Sequence, residues 1–475
     1  MLSYKAVGKP SAVAFLLCAL VAVAYWPRSP RAVASPEKEY DVVVMGATGF
    51  LGRMGAAAFI GFRGEFKGVP KDTPLTTSPG RTKVALAGRH IDSLQALLDG
   101  FASAGANVDG VDLLVADFDD PASLDDMVAR AKIIVNFAGE NWDYDTVDTM
   151  ITNVTADSLI MKCAVAGTHF IDASMMSAPM FTKEDVSSST GLGPTLTKVD
   201  KAARASGAVI SPSTGCIAAP HELVTTAAVQ ALGGEAPKSI TQYEMDYYPG
   251  VKKEMLKKDG SNAFPFDMMF NVSSAPPIAV ASAVHAVVSR TEPPDASPCC
   301  QPIDKSKEHL LGKVPVEQSL MEVLTQPMMS LLSAQMGWGK VPFQMYTPTN
   351  NWFYHFEYVQ TGKADVAFRK STRYLVVAEV EGVDGTIQTS HLHYYEGIYE
   401  GTVRETVEMA LSLLYQTEQV KAAQTGGVFT TGAGWGPTLI ANLKAVGANM
   451  TLEKPGIGAE PVVNAWTKAH GMTSR

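Results

Sequence analysis

Tyr40-Asp41-Val42-Val43-Val44-Met45-Gly46-Ala47-Thr48-Gly49-Phe50-Leu51-Gly52 decides the fold. A short run carrying three consecutive valines reads as a buried strand, and the glycines at 46, 49 and 52 stop it abruptly. An alanine-rich apolar segment from about Leu51 to Phe62 then reads as a helix. Strand, glycine turn and helix in that order are the setting in which a glycine pattern carries meaning. Glycine makes the tight turn, lets the backbone approach a pyrophosphate and allows the helix to close on the strand. The backbone of Thr48, Phe50 and Leu51, at the helix N-terminus, then offers N–H groups and a positive dipole end to the anion.

Working outward, Lys83–Gly88 reads as a second strand and Ile91–Ala104 as a helix. Asp112–Ala116 reads as a third strand and Ala122–Ala131 as the next helix. Ile133–Ala138 reads as a fourth strand, followed by a helix ending near Ala166 and a fifth strand at His169–Asp172. This alternation predicts a Rossmann-type, doubly wound parallel sheet with right-handed crossovers. From about Ser211 the segments lengthen, and Ser239–Tyr248, Tyr374–Glu381 and Thr386–Tyr395 alternate as strands of a largely antiparallel sheet in a second, α+β domain. Gly61–Lys83 and Arg290–Lys313 read as irregular surface loops, and Val403–Tyr415 as an amphipathic helix. The resulting division is an N-terminal segment 1–34 and a nucleotide-binding domain 35–214. A substrate and dimerisation domain 215–400 and a C-terminal helix and tail 401–475 packing back on the first domain complete it, with a homodimer as the expected assembly.

The second strand ends Ala87-Gly88-Arg89 without the carboxylate that would bond a ribose 2′-hydroxyl. A guanidinium at Arg89 suits a 2′-phosphate, so NADP(H) is the expected cofactor. Asp117, after the third strand, is placed for the adenine edge, and it equally suits a helix N-terminus. The fourth strand ends Asn136-Phe137-Ala138-Gly139, where Phe137, Ala138 and Gly139 would let the nicotinamide side of the cofactor meet the backbone.

At 475 residues, 46% hydrophobic and 18% charged, the chain has material for two packed domains. Its 39 basic and 48 acidic residues give a net charge of −9, the wrong sign for a nucleic-acid partner. Five cysteines, with Cys299 and Cys300 adjacent, form neither a disulfide framework nor a zinc spacing. Ala12–Trp26 is an uncharged apolar run flanked by Lys5, Lys9, Arg28 and Arg31, a membrane-address pattern. Ala32-Val33-Ala34 suits signal peptidase, so cleavage and anchoring are both consistent with it. Membrane association, at the endoplasmic reticulum or a lipid droplet, is expected, and a lumenal destination after cleavage is the alternative.

Val44-Met45-Gly46-Ala47-Thr48-Gly49-Phe50, Ala87-Gly88-Arg89, Val135-Asn136-Phe137-Ala138-Gly139 and Cys163-x-x-x-Gly167-Thr168-His169-Phe170-Ile171-Asp172 resemble successive stations of the saccharopine dehydrogenase-like oxidoreductases. This group includes trans-acting enoyl reductases and lipid-droplet-associated members. Gly426-Gly427-Val428-Phe429-Thr430-Thr431 and Leu439 to Gly447 resemble its C-terminal ending. The resemblance implies hydride transfer with a hydrophobic, lipid-related substrate held between the two domains, lined by aromatic and aliphatic side chains of the strands around Tyr243–Tyr248 and Tyr374–Tyr395. Three stations depart from the pattern. Gly139-Glu140-Asn141 stands where Gly-Pro-Tyr is usual, and Ser174–Met176 replace a Gly-Glu pair. Gly215-Cys216-Ile217-Ala218-Ala219-Pro220 has lost a carboxylate. These departures support a rival reading, a non-catalytic nucleotide-binding scaffold or sensor.

Other chemistries find less support. Tyr248 and Lys252 have the spacing of a phenolate and its lysine helper, but Pro249-Gly250 breaks the helix they would need. His391-x-His393 puts two imidazoles on one strand face without an accompanying carboxylate or cysteine cluster. No catalytic residue is assigned. Asp172 and His221 are the titratable residues nearest the expected cleft.

Overall fold

The computed structural model describes residues 37–64, 75–77, 79–138, 154–173, 192–212, 214–215, 218–247, 320–346, 371–394 and 398–470. The apolar run Ala12–Trp26, Gly139, the altered stations 139–141 and 174–176, the Tyr248/Lys252 pair and the loop 290–313 lie outside the described residues. In chain order the first half runs β1 (Tyr40–Met45), α1 (Phe50–Phe59), β2 (Val84–Gly88), α2 (Ile91–Ser103), β3 (Asp112–Val115), α3 (Pro121–Arg130) and β4 (Ala131–Asn136). It continues through α4 (Leu159–Ala166), β5 (His169–Asp172), α5 (Pro194–Ser206) and β6 (Val209–Ser211). Then follow α6 (Ala219–Ala231), β7 (Ser239–Tyr247), α7 (Leu320–Gln335), β8 (Phe343–Tyr346), β9 (Arg373–Glu381) and β10 (Ile387–Tyr394). The chain ends with α8 (Ile398–Tyr415), β11 (Gly427–Val428), α9 (Gly436–Ala445), β12 (Asn449–Leu452) and α10 (Glu460–Ala469).

The first sheet has seven strands in the order β11-β6-β5-β4-β1-β2-β3, every neighbouring pair parallel. The valine run of β1 lies at its middle, between β2 and β4, where both faces are covered. Val42 and Val44 join one core with Leu86, Ile133 and Val135, beside α1 and α2. Val43 and Met45 join the opposite core with Ala85 and Ile134, beside α3, α4 and α5. A strand wetted by neither face has no reason to alternate, which is why β1 reads as continuous apolar residues. Chain order runs outward from β1 to β3 on one side and from β4 to β6 on the other. The crevice at the carboxyl ends of β1 and β4 is therefore the topological switch point, where open α/β sheets bind ligands.

The second sheet has five strands in the order β12-β10-β9-β7-β8. Its neighbours are antiparallel except β7 and β8, which run parallel. One face packs Ile240, Val376, Ala378, Val380 and Leu392 into the same core that covers the first sheet, through α6 and α8. The other face is closed by α10, with Val463 and Trp466 on Met245, Leu375 and Val377. The tail is shared between the sheets: β11 extends the first and β12 the second.

The helix expected as amphipathic over Val403–Tyr415 begins five residues earlier and has no solvent face over most of its length. Every residue from Tyr399 to Leu413 is buried, including Glu400, Arg404, Glu405 and Glu408. A helix wedged between two sheets buries its polar side as well as its apolar one, and the charges it carries must find partners inside.

Candidate functional site

Gly46 closes β1 with φ of +76°, in the left-handed region where a side chain is strained. Its N–H and that of Ala47 donate to the Ala87 carbonyl at 2.9 and 3.2 Å, and the Gly49 N–H donates to the Gly46 carbonyl at 2.9 Å. A Cβ at Gly46 would lie 2.7 Å from the Ala138 methyl, and a Cβ at Gly52 would fall inside the Gly46 carbonyl. Gly49 differs: it is exposed, and its missing Cβ would meet only the Gly46 oxygen, at 3.2 Å. Two glycines are thus consumed by folding the turn, while the third leaves a backbone face open at the start of α1. That first turn carries no acidic residue and no side-chain cap. The geometry suits a phosphate, since a bare helix N-terminus presents N–H donors and a positive dipole end.

Arg53, absent from the residues expected at the site, lies one turn into α1. Its Nε donates to the Gly49 carbonyl at 3.2 Å and its Nη2 to the Thr48 carbonyl at 2.9 Å. It ties down the two carbonyls of the turn and places a cation beside the helix N-terminus. A basic residue four positions after the second motif glycine is the signal that could have found it.

Thr48, Phe50 and Leu51 are half-buried around the turn. The Phe50 ring meets Tyr399 of α8 edge-on, with centroids 5.4 Å apart. Arg89 is exposed at the end of β2 and makes no hydrogen bond or ion pair with the described residues, leaving its guanidinium available. Asp117 is half-buried after β3, and its Oδ1 accepts from the Asp119 N–H at 3.1 Å. Asp120, three residues on, is the residue that caps α3, accepting from the Ala122 and Ser123 N–H groups. The Phe137 ring packs tightly against Gly55 of α1, so Phe137 faces the helix–sheet seam with its side chain and the crevice only with its backbone. Ala138 stands against Gly46, held by its N–H to Asn136 Oδ1 at 3.1 Å. Gly139 is not among the described residues.

Asp172 is buried at the end of β5, accepting from Asn136 Nδ2 at 3.0 Å. Its carbonyl accepts from the Thr214 N–H at 2.7 Å and Oγ1 at 2.9 Å, and Thr214 Oγ1 lies 3.4 Å from Thr406 Oγ1 of α8. These contacts lock β4, β5 and α8 together, so Asp172 is held by structure. His221, in the first turn of α6, sits in a buried polar cluster at the junction of the two sheets. Its Nδ1 is 2.9 Å from Gln242 Oε1, and its Nε2 lies 3.4 Å from the Tyr374 hydroxyl and 3.6 Å from Glu244 Oε2. Tyr374 and Tyr394 stack in parallel, and Tyr394 donates to Glu405 Oε1. Burial pushes the carboxyls of Glu222 and Glu405 up to about 8. The second sheet therefore meets α6 and α8 with the aromatic and aliphatic side chains of Tyr374, Tyr394, Val376 and Ala378, and with the buried carboxyl of Glu244 beside them. The polar members are contributed by α6, β7, β9, β10 and α8, which no single stretch of sequence brings together.

The histidine pair on β10 belongs to the opposite face. His391 Nε2 is 3.1 Å from Glu453, while His393 accepts from Trp466 at 3.4 Å, and burial lowers its pKa to about 4. Among the described residues no group of three or more His, Cys, Asp or Glu is arranged to hold a metal.

The chain resembles the saccharopine dehydrogenase-like oxidoreductases. It is 30% identical to a trans-acting enoyl reductase of Mycobacterium leprae over 139 residues, covering 29% of this chain and 26% of the relative. It is 29% identical over 139 residues to an Arabidopsis thaliana protein named a saccharopine dehydrogenase-like oxidoreductase, again 29% of this chain and 26% of the relative. The matched stretch thus spans about a quarter of each relative's length. A solved structure of saccharopine dehydrogenase (L-Glu forming) from Saccharomyces cerevisiae aligns with 87% of this chain and 99% of its own. That alignment has 12% identity and a TM-score of 0.41. No family model matches the chain.

Proposed function

We propose that this protein is an NADP(H)-dependent oxidoreductase that transfers a hydride to or from a hydrophobic, lipid-related substrate. The observation that carries the reading is the glycine turn at the switch point. Gly46 and Gly52 are used up by close packing, and Gly49 leaves an open backbone face beside a bare helix N-terminus and Arg53. An NADP pyrophosphate fits that face, Arg89 would meet the 2′-phosphate, and the backbone at Phe137 and Ala138 would lie beside the nicotinamide. When bound, the cofactor supplies the hydride. The chain's own part is to bind it, orient it and exclude water from the transfer. The names of the relatives, an enoyl reductase and a saccharopine dehydrogenase-like oxidoreductase, support reduction chemistry on an acyl chain or a related substrate.

Membrane association belongs to the same proposal and rests on the run Ala12–Trp26. Among the described residues no helix is long and apolar enough to cross a membrane, so the N-terminal segment would supply the attachment. Deletion of residues 1–34 should release a tagged protein from the membrane fraction. A full-length protein found wholly in the soluble fraction would overturn that part.

A second reading, a nucleotide-binding scaffold or sensor, is favoured by one feature. His221, Glu244, Tyr374 and Tyr394 are all at most 2% exposed, so the chain's own side chains fill the polar end of the junction. One experiment separates the two. The purified full-length protein should deplete NADPH absorbance when given a lipid extract or a panel of enoyl thioesters. Tight NADPH binding with no turnover across the panel would decide for the scaffold.

A further inference from the structure

We propose that Arg53 is the positioning residue of the glycine turn, locking the two peptide groups that flank Gly49 so that a pyrophosphate meets the turn already in its binding geometry. The inference deepens the nucleotide-binding reading and rests on it for the identity of the ligand. Gly46 and Gly52 are fixed by their surroundings, since a Cβ at either would run into backbone or into Ala138. Gly49 has no such constraint: it is exposed, and the space beside it holds only the Gly46 oxygen, 3.2 Å from where a Cβ would lie. Its backbone is extended, with φ −70° and ψ 175°, a conformation open to any residue. The position therefore needs glycine for room, and glycine's conformational freedom comes with it. A turn that stays bare for a phosphate and still holds one shape needs a restraint from outside Gly49.

Arg53 supplies that restraint through two successive peptide groups. Its Nη2 donates to the Thr48 carbonyl at 2.9 Å, and the N–H of the same peptide group, on Gly49, donates to the Gly46 carbonyl at 2.9 Å. The Thr48–Gly49 peptide is thus held at both ends. Its Nε donates to the Gly49 carbonyl at 3.2 Å, which also accepts the Arg53 backbone N–H at 3.0 Å. In a trans peptide the C=O and N–H point in opposite directions. A Gly49 carbonyl drawn back along α1 therefore aims the Phe50 N–H out past the helix N-terminus. Side chains on a helix lean toward its N-terminus, which is how a half-buried arginine one turn along α1 reaches back over the turn.

The lock gives Arg53 a role distinct from that of Arg89. Arg89 is placed for the 2′-phosphate, which NADP carries and NAD lacks, whereas Arg53 acts on the turn that meets the pyrophosphate common to both. Removing Arg53 therefore weakens both cofactors alike and leaves the choice between them untouched. The size of the loss follows from population. A turn that is competent roughly one-tenth of the time binds about tenfold more weakly, whatever the ligand. A rigid fork holds two carbonyls at once, while the single ammonium of a lysine keeps part of the restraint.

The test uses the full-length protein, first without cofactor. Hydrogen exchange read by mass spectrometry should be faster in Arg53→Met than in the wild type across residues 46–52, and unchanged across β2, whose Ala87 carbonyl holds the start of the turn. Calorimetry should then show NADPH and NADH each bound about tenfold more weakly with their ratio unaltered, and Arg53→Lys should recover part of the loss. Phosphorus NMR of bound NADP should show the pyrophosphate resonances displaced in Arg53→Met and the 2′-phosphate resonance unmoved. If Arg53→Met lacks a cooperative thermal transition, Arg53→Lys and Arg53→Gln carry the same measurements. Wild-type exchange across 46–52 in the variants, or a changed ratio of NADPH to NADH affinity, would overturn the lock. A wild-type protein that bound neither cofactor would sink the nucleotide-binding reading itself, whereas normal binding by both the wild type and Arg53→Met would remove the role of Arg53 alone.

Discussion

Gly49 and Gly52 lie three residues apart in one turn, and their replacements should fail in different ways. A side chain at Gly52 collides with the Gly46 carbonyl, which is backbone and cannot move without undoing the turn. Gly52→Ala should therefore cost about 1 to 3 kcal/mol of stability, seen as a lowered thermal midpoint. Gly49→Val should leave that midpoint nearly unchanged, because its Cβ meets only one atom, yet abolish NADPH binding by filling the space of the pyrophosphate. Calorimetry giving wild-type affinity for Gly49→Val would remove the site. At Arg89 the expected loss is one of discrimination. A charge-assisted contact with the 2′-phosphate contributes on the order of 1.5 to 3 kcal/mol, so Arg89→Ala should cut the preference for NADPH over NADH about tenfold or more. An unchanged preference would move the 2′-phosphate site elsewhere.

Element α8 carries the pH dependence. Glu405 sits near the ordinary carboxylate range in the unfolded chain and is pushed up to about 8 in the folded one, chiefly by burial. Folding therefore takes up a proton above about pH 4.5. The stability held below that pH declines as pH rises through 8, by an amount on the order of a few kcal/mol. Glu405→Gln should flatten the fall between pH 6 and 9 in urea titrations, and Glu222→Gln should do the same. A wild-type-like slope in both variants would mean that neither carboxyl holds its proton. The same helix marks the limit of what the sequence reveals. Strands β1, β2 and β4 are legible because buried parallel strands are nearly unbroken apolar runs. The first turn of α8 is not, because Glu400, Gly401 and Arg404 interrupt the apolar pattern while being buried between sheets. Strand β11 is two residues long and exists only through pairing with Val209 and Ile210. The glycine turn could be read because all its parts are local. In the junction cluster the strands that carry Glu244, Tyr374 and Tyr394 are legible as lining and His221 as a titratable residue, but their pairing is not, since Tyr374 lies 153 positions from His221 and no local pattern links them.

Across the whole molecule the two sheets are not separable units of stability. The tail gives β11 to the first sheet and β12 to the second, and α10 seals Met245, Leu375 and Val377 on the outer face of the second. Helix α8 packs Val403, Val407 and Met409 into a core shared by both sheets, and its Tyr399 touches the glycine turn through Phe50. Glu408 also receives the N–H of Thr76 at 2.8 Å and its hydroxyl, which fastens part of the insertion after α1 to the same helix. A chain ending at Thr425 keeps every residue of the nucleotide turn yet loses one strand from each sheet. If the sheets folded independently, that truncated chain would still bind NADPH, since its glycine turn and Arg89 are intact. The shared core predicts the opposite: no cooperative transition and no NADPH binding in the truncated chain. The full-length protein should show coincident urea transitions by circular dichroism and tryptophan fluorescence. A folded, NADPH-binding truncation would show that the first sheet is autonomous and that α8 and the tail serve only the second.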